Sequence, residues 1–263
     1  MPIATGVAEL VRPAGDPTGV TLYVNGAESS HLDLADPARL EFEYMQQMAV
    51  VLEHVHGPTR AVRALHLGGG ACAFARALDA TRPGSRQLAV ELDPVLATLV
   101  RGWFDLPRAP RLRIRVDDAR DAVAAQRPGA HDVVIRDVFA GRQVPGHLRT
   151  AEFAALVARA LAPSGGCYLA NCADTPPLIG SRREVATLET VFPHVAVIAE
   201  PGILKGRRYG NLVLVGSWEP LPAAALARDL LALAFPVTLL AGDEARRFAG
   251  AARPFRDADP PDS

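Results

Sequence analysis

The stretch Ala64-Leu-His-Leu-Gly-Gly-Gly-Ala-Cys-Ala73 decides how the rest of the chain is read. An apolar run from Val62 to Leu67 feeds three glycines, and a helix-forming run from Ala71 to Leu78 follows. That order spells a strand, a tight turn and a helix start. Gly68, Gly69 and Gly70 let the backbone approach a bound group with no Cβ in the way. A second apolar run, Leu88-Ala-Val-Glu-Leu-Asp93, ends in acid. Glu91 follows the glycines by about 20 residues, the offset at which a carboxylate at the tip of strand two meets ribose hydroxyls. Together the two stretches predict a nucleoside site at the carboxyl ends of a parallel sheet.

Outward from this pair the strand–helix alternation continues. Strands are expected at 62–67, 87–91, 112–116, 132–136 and 167–171, with helices at 71–78, 94–104, 119–125 and 150–162 between them. This order predicts a parallel sheet with helices on both faces. Beyond it come a helix at 181–191, strands at 195–199 and 211–216, and a helix at 223–233. Before it, residues 1–35 read as a small β-domain, with Asn25-Gly26 as a hairpin turn between two short runs. Asp36-Pro37 looks like a cap and first helical position, so a helix is expected from about Pro37 to His54. The expected domains are therefore 1–35 (β-hairpins), 36–236 (Rossmann-like nucleoside-binding domain) and a tail, 237–263. The end of that tail, rich in Pro and Asp, reads as disordered.

Composition bounds the function. The 263 residues are 49% hydrophobic and 22% charged, with a formal net charge of −1. Such a chain buries a full core, and no global field recruits nucleic acid or an anionic membrane. Nearly all its positive charge is arginine, since Lys205 is the single lysine. No run of about 20 apolar residues could span a bilayer, and the N-terminus lacks the layout of a secretion signal. A cytoplasmic location is expected. Cys72, Cys167 and Cys172 are too few for a disulfide framework and read as buried thiols. Seven scattered histidines offer no metal-ligand spacing, so no metal is expected.

Individual residues carry the chemistry. Gly68-x-Gly70-x-x-Ala73 also satisfies the dinucleotide pattern, so NAD binding competes with other nucleosides. Asp93 reads as a helix cap before Pro94; Glu91 is not explained by capping and is assigned to a ribose diol. Asp117-Asp118-Ala119 ends the third strand. There Asp118 is the candidate acceptor for an adenine amine, with the Ala119 N–H on the ring and helix capping as the alternative for Asp118. Asp137 ends strand four, where open α/β sheets bind ligands, and can hold and deprotonate an attacking group. Tyr44 is a core tyrosine or a cleft wall with its hydroxyl on a polar end.

The ordered set of motifs resembles the polyamine aminopropyltransferases, the spermidine synthase family, from about Thr21 to Gly216. Tyr23-Val-Asn-Gly26 resembles that family's N-terminal hairpin, Leu67–Gly70 its glycine loop, and Val90-Glu-Leu-Asp-Pro94 its acidic strand tip. Val116-Asp-Asp-Ala-Arg120 and His131–Asp137 resemble its third and fourth motifs. Pro145–Phe153, Phe192 and Gly210-Asn211 complete the series. The resemblance implies a Rossmann-like, class I methyltransferase-type doubly wound α/β sheet behind a small β-domain, in a homodimer. It implies decarboxylated S-adenosylmethionine as co-substrate and a small-molecule amine as acceptor. Glu91 would hold the ribose, Asp118 the adenine, Asp137 would be the base and Tyr44 would line the amine channel. Two positions depart from the family pattern. Ala71-Cys72 stands where the family usually reads Asp-Gly, and Val138–Gly141 where it reads Ser-Ser-Asp-Pro. Diamine binding is then expected to be weak unless Glu28, Glu43 or Asp174 supplies the charge. The alternatives are a methyltransferase using intact S-adenosylmethionine, a non-catalytic nucleoside-binding dimer module, and an NAD-dependent oxidoreductase.

Overall fold

Short β-forming runs punctuated by turn residues open the chain as β1 (Pro2–Ile3), β2 (Gly6–Val11), β3 (Gly19–Val24) and β4 (Ala27–Asp33). They pair antiparallel in sequence order. Asn25 and Gly26 both take positive φ, 53° and 78°, the backbone that a two-residue hairpin demands. This is a computed structural model, and it describes residues 1–141 and 143–259.

The first helix, α1 (Glu43–His56), starts six residues later than Asp36-Pro37 predicts. Side-chain chemistry diverts the intervening segment. Asp33 accepts from the backbone N–H groups of Ala35 and Asp36, at 2.8 and 3.0 Å, and from Arg39 at 2.9 Å. Asp36 itself accepts from the Ala38 N–H. Such local bonds offer the backbone an alternative to a helix.

Eight strands form the main sheet among the described residues. They are β5 (Arg63–Leu67), β6 (Arg86–Glu91), β7 (Leu112–Val116), β8 (Val133–Arg136), β9 (Cys167–Asp174), β10 (His194–Ala199), β11 (Gly210–Ser217) and β12 (Thr238–Ala241). Their order is β12-β10-β11-β9-β8-β5-β6-β7. From β7 to β9 the pairing is parallel, in the doubly wound order 3-2-1-4-5. The five alternating strands are parallel as expected, and beyond β9 the strands β11, β10 and β12 pair antiparallel. The sheet is therefore mixed, of the Rossmann-like, class I methyltransferase type.

Helices cover both faces. On one lie α1, α2 (Ala73–Thr81), α3 (Pro94–Trp103) and α8 (Ala223–Leu231); on the other lie α4 (Ala119–Ala124), α5 (Ala151–Ala160), α6 (Ile179–Glu189) and α9 (Asp243–Ala249). A single turn, α7 (Pro201–Leu204), precedes β11. Strand residues alternate between the two cores with period 2. Val133 and Ile135 join the α1 side and Val134 the α6 side. Leu22 and Leu32 of the small sheet share the α1-side core with Phe74 and Met48.

The expected tail from residue 237 is instead structured. It supplies β12 and α9, and the segment after them docks by burying Phe255 beneath the guanidinium groups of Arg149 and Arg183. A Pro- and Asp-rich composition hid this anchoring aromatic. Residues 260–263 of that expectation lie outside the described residues.

Burial also sets an acid limit. His66 is buried with its Nε2 2.8 Å from Gln87 Oε1, and His131 is buried beside Gln126. Burial pushes both imidazoles down to about 4. The unfolded chain binds these protons near pH 6.5 and the folded chain does not. Stability is therefore complete above about pH 6.5 and falls as pH drops toward 4, by roughly 2–3 kcal/mol per histidine. Urea titrations across that range should show the loss, and His66→Gln should flatten part of it.

Candidate active site

The strand order reverses between β5 and β8, so their carboxyl ends open a crevice. Asp137 N–H bonds the Leu67 carbonyl at 2.8 Å, which brings the glycine loop against the end of β8. Gly68, at φ +91°, lies where a Cβ would stand 2.0 Å from the Asp137 carbonyl oxygen. Only glycine fits this close approach. Helix α2 begins at Ala73, two residues later than expected, because Cys72 takes a left-handed φ of 58°.

Glu91, at the tip of β6, is held by the loop. Its Oε2 accepts from the Gly70 N–H at 2.9 Å and its Oε1 from the Asp93 N–H at 3.0 Å. A carboxylate has about four acceptor sites, so each oxygen keeps one for a ligand. The Ala71 N–H goes to Ser30 Oγ at 3.0 Å. Two loop amides that could cradle a pyrophosphate are thus already engaged, which weakens the NAD reading. Asp93 caps α3, as expected, and its second oxygen holds Thr5.

Asp118 and Ala119 line the cavity. Asp118 also caps α4, with Oδ1 accepting from the Arg120 and Asp121 N–H groups at 2.7 and 3.3 Å. Its Oδ2 sits 3.1 Å from His147 Nε2. Burial works against its charge, but the Arg120 N–H and His147 hold the carboxyl below its usual range. Arg120, at the end of the same motif, pairs with Asp257.

Alternation along β8 places Arg136 on the α6 side and Asp137 on the α1 side. Arg136 is fully buried against Glu184 at 2.6 Å, so it forms no ion pair with Asp137 and its charge is only the last of the pulls that lower that carboxyl. Burial opposes the Arg136 charge, and the Glu184 carboxylate more than restores it. Asp137 meets two neutral donors instead, Tyr44 OH at 2.7 Å and Asn171 Nδ2 at 3.0 Å. Burial raises the Asp137 carboxyl above its usual range, although both donors pull it down. Burial, then the Asp137 charge, keeps the Tyr44 hydroxyl protonated. Sequence reasoning missed Asn171. The period-2 rule applied to β9 places it with Cys167 and Leu169 on the α1 side, the signal that could have found it.

These groups surround one cavity of about 1020 Å³. Six carboxylates line it: Glu28, Glu43, Glu91, Asp117, Asp118 and Asp137. No arginine or lysine does among the described residues. Burial pushes the Cys72 thiol in its wall up to about 12, which leaves it protonated and unreactive. Among the described residues no cluster of three or more His, Cys, Asp or Glu side chains could hold a metal, and no helix is long and apolar enough to cross a membrane.

No protein-family model matches the chain. A polyamine aminopropyltransferase of Vibrio vulnificus is 29% identical over 199 residues, which span 74% of this chain and 63% of that relative. The crystal structure of a probable spermidine synthase from Corynebacterium glutamicum is 43% identical with a TM-score of 0.90, covering 96% of this chain and 94% of the other. The chain belongs to the spermidine synthase family. A spermidine synthase solved with the transition-state analogue AdoDATO is 16% identical, with a TM-score of 0.58 over 95% of this chain and 77% of the other, and shows the shared fold alone.

Against the spermidine synthase pattern, the two substituted acids fall in different surroundings. Ala71 is fully buried beneath Ser30, whereas Ala140 lines the cavity. Of the three acids considered as replacements, Glu28 and Glu43 line the cavity; Glu28 also accepts from Tyr23 OH at 2.8 Å. Asp174 is not among the lining residues. Its Oδ2 is committed to Ser181 N and Oγ at 2.7 Å, where it secures the first turn of α6. Arg208, in the segment before β11, pairs with Glu200.

Proposed function

We propose that this chain transfers an aminopropyl group from decarboxylated S-adenosylmethionine to a small-molecule amine, releasing methylthioadenosine. The lining of six carboxylates with no described arginine or lysine carries the reading. Decarboxylated S-adenosylmethionine offers a sulfonium and an ammonium and no anionic group. The intact form adds a carboxylate that this wall repels, and like-charge juxtaposition is how a site rejects a ligand.

In this reading Glu91 holds the ribose diol and Asp118 with the Ala119 N–H reads the adenine. An acceptor amine, with an ordinary pKa near 10.4, is protonated at neutral pH and cannot attack. Asp137 orients it and takes its proton. The neutral nitrogen attacks the carbon beside the sulfonium, the C–S bond breaks, and its electron pair stays on sulfur as the thioether. Tyr44 and Asn171 fix both oxygens of Asp137, so its geometry precedes substrate. Such positioning supplies much of the rate. A cytoplasmic homodimer belongs to the same proposal, and sedimentation measures the assembly.

A methyltransferase using intact S-adenosylmethionine is the second reading, favoured by one observation: the glycine loop offers Ala71 where an acid would hold an aminopropyl ammonium. Incubation with decarboxylated S-adenosylmethionine and a panel of mono-, di- and triamines tests the first reading. Methylthioadenosine formation that depends on an amine is expected. Its absence across the panel, with methyl transfer from the intact form, contradicts the proposal. Glu91→Ala should weaken methylthioadenosine binding about 10- to 50-fold, the loss of one or two charge-assisted hydrogen bonds. Unchanged affinity by calorimetry would remove the ribose role.

A further inference from the structure

Asp118 divides its carboxylate between two tasks. Oδ1 is spent on the first turn of α4, accepting from Arg120 and Asp121. The remaining acceptor facing a ligand is Oδ2, and His147 Nε2 lies 3.1 Å from it. Both residues line the cavity. We infer that His147 is a base-reading residue: it fixes Asp118 so that a free lone pair of Oδ2 meets the exocyclic amine of a bound adenine, and its ring walls that end of the cavity.

Three observations favour this over a mere latch between the 147 turn and α4. First, the turn is already docked without the imidazole. Arg120 Nη1 donates to the His147 carbonyl at 3.1 Å, and Leu148 beside it is buried. Second, the imidazole is about half exposed, at 46%, and so within a ligand's reach. Third, Leu92, in the same cavity, leaves 63% of its surface uncovered, an apolar surface that a purine would cover. One Nε2–H donor leaves Oδ2 room for a second hydrogen bond. Asp118 is about a third exposed, and once a bound base covers it an acceptor that awaits an N–H discriminates against an analogue that lacks it.

The inference deepens the nucleoside reading proposed above and rests on it. Its test is calorimetric titration of methylthioadenosine and methylthioinosine into the wild-type chain, His147→Ala and His147→Gln. Methylthioinosine carries a carbonyl where adenine has its amine. Wild type should prefer the adenine compound at least about tenfold. His147→Ala should cut that preference to within about threefold, while His147→Gln, which keeps an N–H donor, should retain most of it. Should His147→Ala not fold, His147→Phe keeps a ring, removes the donor and gives the same readout. A full preference in the donor-less variants, or none in wild type, overturns the role of His147. Failure of methylthioadenosine to bind wild type would instead remove the nucleoside reading, and this inference with it.

Discussion

Asp137→Asn should lower kcat for amine alkylation by about 100- to 10,000-fold, the range that loss of a positioned base commonly costs. The substitution keeps the shape and loses the charge. The single amide oxygen can meet either Tyr44 OH or Asn171 Nδ2, which lie 2.7 and 3.0 Å from separate Asp137 oxygens in the native arrangement, and the other donor then faces the NH₂ group. Binding of methylthioadenosine should change little, because Glu91 and Asp118 are untouched. The pH profile adds a second constraint. Burial raises the Asp137 carboxyl, so the native rate should climb as pH rises through a pKa above the ordinary carboxylate value. That limb should vanish in the variant. Initial rates from pH 5 to 9 check both points, and an unaltered kcat would remove Asp137 from the chemistry.

Glu184→Gln, on α6 behind the sheet, should destabilise the fold by about 3–5 kcal/mol. Glu184 is buried and accepts from Arg136 at 2.6 Å and Arg149 at 2.9 Å. Arg136 also donates to the carbonyls of Leu148 and Asn171. Removing the one negative charge leaves the Arg136 guanidinium buried without its counter-ion. Replacing both partners, Arg136→Met with Glu184→Leu, should recover much of the loss, since a buried ion pair is often no better than apolar residues of similar volume. Denaturant midpoints measure both. The same variant reaches the site, because the carbonyl that Arg136 holds belongs to Asn171, whose side chain orients Asp137. A Glu184→Gln protein as stable as wild type would show that this cluster is not a structural clamp.

The glycine loop, the acid at strand two and the hairpin at Asn25-Gly26 were legible because each follows from local chemistry. A Cβ cannot occupy Gly68, and the two-residue turn needs positive φ at both positions. What escaped depended on distant partners. Helix α1 starts late because Asp33 and Arg39 capture the chain before it. The antiparallel run β11-β10-β12 has no marker in periodicity, since buried strands read alike in either direction. Asn171 was hidden inside an apolar strand, and its meaning came only when β8 and β9 were set side by side. Position 174 looked like a spare acid until Ser181 claimed it. The direction of Arg136, away from its neighbour Asp137, follows from strand alternation and was open to inference from sequence.

The central claim is that an acid-lined cavity at the switch point of the sheet selects a cationic adenosyl sulfonium. Titration calorimetry with decarboxylated and intact S-adenosylmethionine, side by side, tests it most directly, with NAD as a control. Tighter binding of the decarboxylated compound, by at least about tenfold, with no measurable NAD binding, is the expected result. Preference for the intact, carboxylate-bearing form would contradict the account.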